Sequence, residues 1–365
     1  MARDLEEHGQ ARDVSWLEGV WTERDTTPSR IEAALRELLH HTYARGDAKV
    51  PARVLNLVVI ADREWRGEIQ NRLERVGRYH PSRTILCAVE AGRTSLDAMV
   101  TMTPAEQPRG TLALCHEHLV VDIGPQHLKH LATIVDPMIA SELATVVWSP
   151  HGHEEAVDAL LGLAQVVLVD SHDMPDPADA VARARRLAEE AYVVDLSWLR
   201  STPWRERVAA SFDPPEWRPE LGKISSVTVR HRPDSAASGV LFFGWLASRL
   251  GWTPGGLVAQ NGSLVGHATA HRHDVALRLE PDEGQNAPGL AGIAVETESG
   301  MSLSLDRGEG GLGARRRTRD GREFAWTVMG ASRGEAGILG EGIRQALLRD
   351  PTYKPALSAA EGMLR

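Results

Sequence analysis

The sequence predicts an α/β protein. A largely parallel sheet with flanking helices forms its N-terminal part, and a mixed α+β C-terminal domain with antiparallel strands follows. The first observation is a strand–helix–strand unit over residues 54–90. Residues 54–61 are an apolar, β-branched run, which is typical of a strand buried on both faces. The second is the alternation of strands and helices that continues to residue 250. The third is a change from Ser263 onward to short strands separated by turns.

Local signals define the elements of the first unit. Asp62 is a candidate helix N-cap. The residues after it recur at the spacing of one helix face: Trp65, Ile69, Leu73 and Val76. Gly77 ends this helix, and the second strand covers residues 84–89. Upstream, Ser29 and Glu32 form a candidate capping box for a helix over residues 31–43.

The remaining elements follow in order along the chain. Predicted strands cover residues 97–103, 111–123, 145–148, 166–169 and 224–230. Predicted helices cover residues 125–143, 154–163, 177–192 and 238–250, and Pro203 begins another. The later strands cover residues 263–280, 290–298, 301–307 and 313–329, the last folded at an Asp320-Gly321 hairpin turn. A closing helix over residues 334–348 precedes a tail.

The length of 365 residues exceeds one typical domain, so two domains are expected. The predicted organisation is an N-terminal arm and helix over residues 1–45, an α/β domain over 46–165, a second domain over 166–350 and a tail over 351–365. The arm is polar apart from a small apolar cluster: Trp16, Leu17, Val20 and Trp21. We expect the arm to dock elsewhere on the protein rather than to form a domain.

Composition and charge restrict the classes of function. The net charge of −9 argues against nucleic acid or an anionic membrane as the main partner. The N-terminal residues contain no apolar core, so they do not resemble a signal peptide. No apolar run reaches the roughly 18 residues of a membrane span. Two cysteines suit a reducing compartment. We therefore expect a cytoplasmic protein.

Clustered histidines raise the alternative of an enzyme, because imidazole and carboxylate are the usual ligands of zinc. They are His116, His118, His151, His153, His267, His271 and His273. His151 and His153 converge only if they lie on a strand, and no Asp-His continuation follows them. We therefore expect solvated histidines rather than ligands. The runner-up function is a metal- or phosphate-dependent hydrolase that uses the His-rich loops.

Two motifs match catalytic or binding fingerprints but lack part of the expected context. Residues 308–313 match the dinucleotide fingerprint, yet a basic strand follows instead of a helix, which favours a flexible hairpin loop. Residues 330–334 match the nucleophile elbow of hydrolases. No histidine lies beyond His273, so the usual triad order cannot be built. A tight turn, or an anion site with Arg333 at a helix N-terminus, are the two alternatives.

A basic hairpin stands out in this acidic chain: Arg315, Arg316, Arg317, Arg319 and Arg322. One interpretation is a solvated strand edge that resists pairing. The other is a docking contact for an acidic partner or a phosphate ligand.

Cys87 and Cys115 fall on strands of one predicted sheet. A disulfide would form only if the two were neighbours in register, so two buried structural thiols are favoured. We expect both thiols to stay reduced.

Three stretches together resemble the glucose-6-phosphate dehydrogenase assembly protein OpcA family. The first joins Leu57-Val58-Val59 to Arg78-Tyr79-His80-Pro81-Ser82-Arg83-Thr84-Ile85. The second is Leu196-Ser197-Trp198-Leu199-Arg200 with Thr202-Pro203-Trp204-Arg205, and the third is Gly244-Trp245-Leu246-Ala247-Ser248-Arg249-Leu250-Gly251-Trp252. The likeness keeps the same order and extends from about residue 50 to the final helix.

The resemblance implies a protein that is not an enzyme and that needs no cofactor or metal. It implies a partner that assembles or allosterically activates glucose-6-phosphate dehydrogenase, the entry enzyme of the oxidative pentose phosphate pathway. Trp and Arg are enriched in interface hot spots. The candidate partner-binding residues are therefore His80, Arg83, Trp198, Trp204, Arg205, Trp245, Arg249 and Trp252. Core packing between helices is the alternative for the tryptophans, and a sugar-phosphate contact at the interface is left open.

Overall fold

The structure is a computed structural model that describes residues 14–17, 19–44, 50–51, 53–77, 80–104, 114–308, 310–329 and 334–365. The chain divides into two units, Met1–Val166 and Val167–Arg365. The first carries a largely parallel sheet and the second a mostly antiparallel one. This arrangement confirms the predicted fold class. Among the described helices, none has the length and apolarity that crossing a membrane requires.

The described part of the first unit begins with a hairpin and continues as alternating strands and helices. Its strands are β1 (Val14–Leu17), β2 (Val20–Glu23), β3 (Val50–Pro51), β4 (Leu55–Asp62), β5 (Ser82–Val89), β6 (Asp97–Pro104), β7 (Leu114–Ile123) and β8 (Thr145–Trp148). Its helices are α1 (Pro28–Ala44), α2 (Arg66–Gly77), α3 (Leu131–Val135) and α4 (Glu154–Leu160).

β4 is an interior strand of the sheet of this unit. The strand order is β1-β2-β6-β7-β5-β4-β8, and β3 pairs with β7. β4 is parallel to both β5 and β8, and its residues from Leu55 to Ala61 are buried. A strand with neighbours on both sides and a covered face on each side needs apolar residues at successive positions. The central strand was thus correctly predicted, except that exposed Val54 lies before it.

Two local predictions for this unit were inaccurate. Helix α1 begins at Pro28, so Ser29 lies inside the helix and not at its cap; proline is favoured at a first helical position. Residues 125–143 do not form one helix. They form a 3-10 helix at Pro125–His130, then α3, then a 3-10 helix at Asp136–Met138, because Pro137 cannot continue the helical hydrogen bonding. The arm, which was expected to dock elsewhere on the protein, contributes β2, which pairs with β6 and contains the buried Trp21.

The second unit contains the remaining elements. Its strands are β9 (Val166–Val169), β10 (Tyr192–Asp195), β11 (Ile224–His231), β12 (Thr253–Pro254), β13 (Val258–Gln260), β14 (Ser263–Thr269), β15 (Asp274–Pro281), β16 (Leu290–Thr297), β17 (Ser302–Gly308), β18 (Gly311–Arg317) and β19 (Glu323–Met329). Its helices are α5 (Pro177–Glu190), α6 (Leu196–Arg200), α7 (Thr202–Phe212), α8 (Ala236–Leu250), α9 (Gly334–Leu348) and α10 (Tyr353–Met363).

The antiparallel sheet has the order β12-β14-β15-β11-β16-β17-β18-β19, with β13 paired to β14. β11 and β15 are the parallel exception. Helix α8 packs on β11 and β15, and α10 packs on α8. The two helices are close because Gly244 faces α10: a Cβ there would lie 2.2 Å from the Ala356 carbonyl oxygen.

Two elements of this unit were not predicted. β10 begins at Tyr192, the last residue of the predicted helix over residues 177–192, and continues to Asp195. The predicted tail contains α10, which buries Tyr353, Ala356, Leu357, Ala360 and Met363. Pro355 lies in the first turn of α10, where a helix tolerates proline.

Candidate partner-binding site

Arg83 is a structural residue of the first unit. It lies buried on β5 and donates from Nε to Glu117 Oε2 at 2.8 Å and from Nη1 to the Met138 carbonyl at 2.9 Å. Arg53 donates to the same Glu117 carboxylate at 2.9 Å. This ion pair joins β5 to β7, and the Arg83 side chain has little exposed surface for contact with a partner. His80 is half-buried just beyond α2, where its backbone N–H donates to the Val76 carbonyl at 2.9 Å.

Trp198 and Arg205 stack on each other inside the second unit. The Arg205 guanidinium carbon lies 3.4 Å from the centre of the Trp198 ring, and the two side chains are buried. Arg205 donates to Thr202 Oγ1 at 2.9 Å and to the Trp198 carbonyl at 3.2 Å. Asp350 accepts from Trp198 Nε1 at 2.9 Å and lies 3.9 Å from Arg205 Nη1. Desolvation lowers the pKa of Arg205 to about 10, so it remains charged at neutral pH.

Trp204 and Trp252 are also buried, so packing accounts for both in this conformation. Trp204 has the Arg307 guanidinium carbon 5.9 Å from its ring centre. Trp252 follows α8, and its backbone N–H donates to the Ala247 carbonyl at 2.9 Å. The core-packing alternative therefore describes Trp198, Trp204 and Trp252, and Arg205 with them.

Two candidate residues on α8 retain accessible surface. Trp245 is half-buried, with its ring 5.3 Å from that of Phe242, and Arg249 in the last turn is exposed. Together with His80, they are the members of the predicted set that can reach a partner without rearrangement of this chain.

A buried polar network between β9, β10 and α10 was missed from the sequence. Asp195 ends β10 and accepts from the backbone N–H of Ser197 at 2.9 Å and from the Tyr353 hydroxyl at 3.2 Å. Desolvation, reinforced by the charge of Asp170, raises the pKa of Asp195 to about 6. Asp170 in turn accepts from Ser197 Oγ at 2.6 Å and from Arg200 Nη1 at 2.8 Å. The sequence signal for this network was an aspartate at the carboxyl end of each strand: Asp170 after β9 and Asp195 in β10.

The carboxyl ends of β4 and β8 meet where the strand order reverses, the usual ligand position in such sheets. Here His153 Nε2 lies 3.0 Å from Asp62 Oδ1, and the His151 ring lies 5.5 Å from that of Trp65. Desolvation lowers the pKa of His151. The turn after β4 has no glycine before Gly67, so it lacks the phosphate-binding turn of a dinucleotide fold.

The other histidines and the cysteines do not form a metal site or a disulfide among the residues described. His116 and His118 have ring centres 6.2 Å apart on β7, and the described part of the chain contains no cluster of three metal-ligating side chains. Cys87 is buried and lies opposite Val121, six positions along β7 from Cys115. That offset is about 20 Å, so a Cys87–Cys115 bond is sterically excluded.

The glycine-rich and arginine-rich motifs lie at the far edge of the antiparallel sheet. β17 pairs antiparallel with β18 up to the Gly308–Gly311 pair, as the hairpin interpretation predicted. Residues 330–333 of the elbow-like motif lie outside the described residues. Arg316 lies with its guanidinium carbon 4.6 Å from the Trp217 ring centre and 5.6 Å from that of Trp326, and it donates to the Ser211 carbonyl. Arg315, Arg317, Arg319 and Arg322 are exposed.

Two family models match most of the chain. The model described as the glucose-6-phosphate dehydrogenase subunit N-terminal domain matches residues 73–186, and the corresponding C-terminal domain matches residues 191–357. An OpcA protein of Synechocystis sp., named for the OxPP cycle, is 27% identical over 50% of this chain and 39% of its own length. Its counterpart in Synechococcus elongatus is 26% identical over 53% of this chain and 45% of its own length. The matched region thus spans less than half of either relative.

Solved structures of dehydrogenases are more distant. The oxidoreductase yvaA from Bacillus subtilis is 13% identical, with a TM-score of 0.45, over 84% of this chain and 95% of its own. The WlbA dehydrogenase from Thermus thermophilus, in complex with NAD and UDP-GlcNAcA, is 12% identical, with a TM-score of 0.42, over 84% of this chain and 94% of its own. Such values support no inference about a ligand. The two domain models decide the family, and the chain belongs to the OpcA glucose-6-phosphate dehydrogenase assembly family.

Proposed function

We propose that this chain is a non-catalytic partner that assembles glucose-6-phosphate dehydrogenase or shifts it to its active state. The observation that carries this proposal is the match of two dehydrogenase-subunit domain models, in matching order, over residues 73–186 and 191–357. We place the complex in the cytoplasm, without nucleic acid or membrane as a partner, since the net charge of −9 disfavours both polyanions.

The first-unit sheet supports an accessory role rather than a dehydrogenase role. A dinucleotide-binding sheet needs a glycine-rich turn and a helix N-terminus facing the pyrophosphate. At the equivalent place, this chain has a turn of Asp62, Arg63, Glu64 and Trp65, beside which His153 approaches the Asp62 carboxylate. Without glycines, the side chains of this turn disfavour the close approach of a phosphate to the backbone.

Activation requires a difference in affinity between two states of the dehydrogenase. The chain would bind the competent conformation or oligomer more tightly and contribute no group to hydride transfer. Coupling of this kind is typically about 1–3 kcal/mol, which is a several-fold to hundred-fold change in affinity. Among the predicted residues, His80, Trp245 and Arg249 have the surface to take part.

The experiment is a titration of purified dehydrogenase from the same organism with this chain, at subsaturating glucose 6-phosphate. We expect a saturable rise in dehydrogenase activity and no activity from the chain alone. Arg249→Glu should weaken the effect if α8 faces the partner, because reversing the charge leaves its mate unpaired. Arg272→Glu, an equal charge change at another exposed position, is the matched control. An unchanged dehydrogenase at saturating chain would overturn the proposal.

A further inference from the structure

β19 is an edge strand, and its residues are exposed on both faces in the part of the chain that the structure describes. It pairs with β18 at the end of the sheet order, and among the described residues no strand lies on its other side. Phe324 is 50% exposed, Trp326 37% and Met329 80%. Edge strands are usually protected by charges or proline, because free backbone groups next to apolar side chains invite pairing with another chain. β19 itself has Glu323 as its one charged residue.

The apolar row of β19 continues the core face of the sheet. Residues directly opposite each other on paired strands share a face. Trp326 lies opposite Ala314 and Val328 opposite Leu312, and those two β18 residues are buried. Phe324, opposite Arg316, belongs to the same row. On this face, β19 therefore lies beyond the described elements that cover the other strands of the sheet.

Trp326 is held in place before any partner arrives. Arg316 lies over the Trp326 ring, with its guanidinium also over Trp217 and hydrogen-bonded to the Ser211 carbonyl. A side chain that is ordered beforehand loses less conformational entropy on binding. This is the arrangement expected of a contact surface rather than of a solvated edge.

The opposite face of the same hairpin is basic. Arg315 lies opposite Ala325 and Arg317 opposite Glu323. Residues 315–323 contain five arginines and two acidic residues in a chain of net charge −9. The Ala325 methyl is too short to keep Arg315 from reaching across β19. A strand added beside β19 would therefore meet an apolar row on one face. On the other face it would meet Ala325, with the exposed Arg315 of β18 within side-chain reach beyond it.

We infer that β19 binds an extended segment of glucose-6-phosphate dehydrogenase by strand addition, and that this segment has apolar residues on one face and an acidic residue beside Ala325, within reach of Arg315, on the other. Strand addition supplies backbone hydrogen bonds, and alternate side chains supply the selectivity. The inference rests on the proposed function, because it takes the dehydrogenase as the partner. It specifies the docking element, which lies within the matched C-terminal domain at residues 191–357.

The test compares affinities for purified dehydrogenase of the same organism. Phe324→Glu should weaken binding by about tenfold or more, as for a central apolar anchor. Val258→Glu is the matched control, since Val258 is 62% exposed on β13 at the other end of the same sheet. Arg315→Glu should weaken binding mainly at low ionic strength, and Arg272→Glu should not. Equal melting temperatures establish that the variants fold.

Hydrogen exchange gives a direct second measurement. In the complex, the backbone amides of residues 323–329 should exchange more slowly, because strand addition gives them partners. If the parent binds the dehydrogenase but Phe324→Glu and Arg315→Glu bind equally well and these amides are unprotected, the docking inference is overturned while the proposed function stands. If the amides become protected at high concentration of this chain alone, the edge pairs with a second copy, and the inference is likewise overturned. A parent that does not bind at all contradicts the proposed function instead.

Discussion

Replacing Arg205 should destabilise the isolated chain rather than act first on a partner. Its guanidinium lies 3.4 Å from the Trp198 ring centre and donates to the Trp198 carbonyl and to Thr202 Oγ1. A desolvated cation–π contact contributes about 2 kcal/mol, and a hydrogen bond from a charged group about 1.5–3 kcal/mol. In the variant, Asp350 would still accept hydrogen bonds from the Trp198 indole and from Thr352, which reduces the loss of stability. We therefore expect Arg205→Ala to lower the free energy of unfolding by about 3 kcal/mol.

The assay is urea unfolding of the purified chain, followed by tryptophan fluorescence. Arg249→Ala is the matched control, since Arg249 is exposed and should change stability by about 0.5 kcal/mol or less. Arg205→Lys keeps the charge but not the planar stacking group, so its unfolding free energy should lie between those of Arg205→Ala and Arg249→Ala. Equal unfolding midpoints for Arg205→Ala and Arg249→Ala would refute the packing role assigned to Arg205.

Other measurements follow from the buried groups and close contacts. Burial raises the pKa of Asp195 from 3.8 to about 6, so its contribution to stability is greatest below pH 3.8 and falls by about 3 kcal/mol as pH rises to 6. Asp195→Asn should remove this dependence in pH-resolved urea unfolding; an unchanged slope would contradict it. Burial also raises the pKa of Cys87 to about 12, so an alkylating reagent should label it only after denaturation, as peptide mass spectrometry would detect. Labelling of Cys87 in the native chain would argue against this. Gly244→Ala should lower the unfolding free energy by about 1–3 kcal/mol, because the new Cβ meets a backbone oxygen. In Gly67→Ala the new Cβ meets nothing within 4 Å, so that variant should be as stable as the parent or more stable. Equal stabilities of these two variants would contradict the close packing of α8 on α10.

The fold was predictable where one physical signal dominates. The apolar run of β4 and the switch to short strands after Ser263 each have a single structural explanation. The prediction failed where local and tertiary effects compete. Residues 351–365 were predicted as a tail, but packing against α8 stabilises a helix there, and the first turn of that helix tolerates Pro355. Only Tyr192 of β10 fell inside the predicted helix, and a four-residue apolar strand is too short for its pattern to be recognised in the sequence.

The candidate partner-binding residues show a different limit. A tryptophan contributes the same apolar surface to a core as to an interface, so sequence could not separate the two uses. The structure buries Trp198 and Trp204 and leaves Trp245 partly accessible. The exposure of β19 was not predictable either, because the composition of Phe324 to Met329 is that of an ordinary buried strand. The adjacent arginines were the detectable signal, and they were recognised as a docking alternative.

The most direct test of the central claim is the affinity between this chain and purified glucose-6-phosphate dehydrogenase, measured by calorimetry with and without glucose 6-phosphate. We expect saturable binding that glucose 6-phosphate tightens. We also expect the chain to tighten the binding of glucose 6-phosphate by the same factor, because coupling between two binding equilibria is reciprocal. The absence of a complex in both conditions would contradict the account, and a complex whose affinity is identical in both would contradict the coupling.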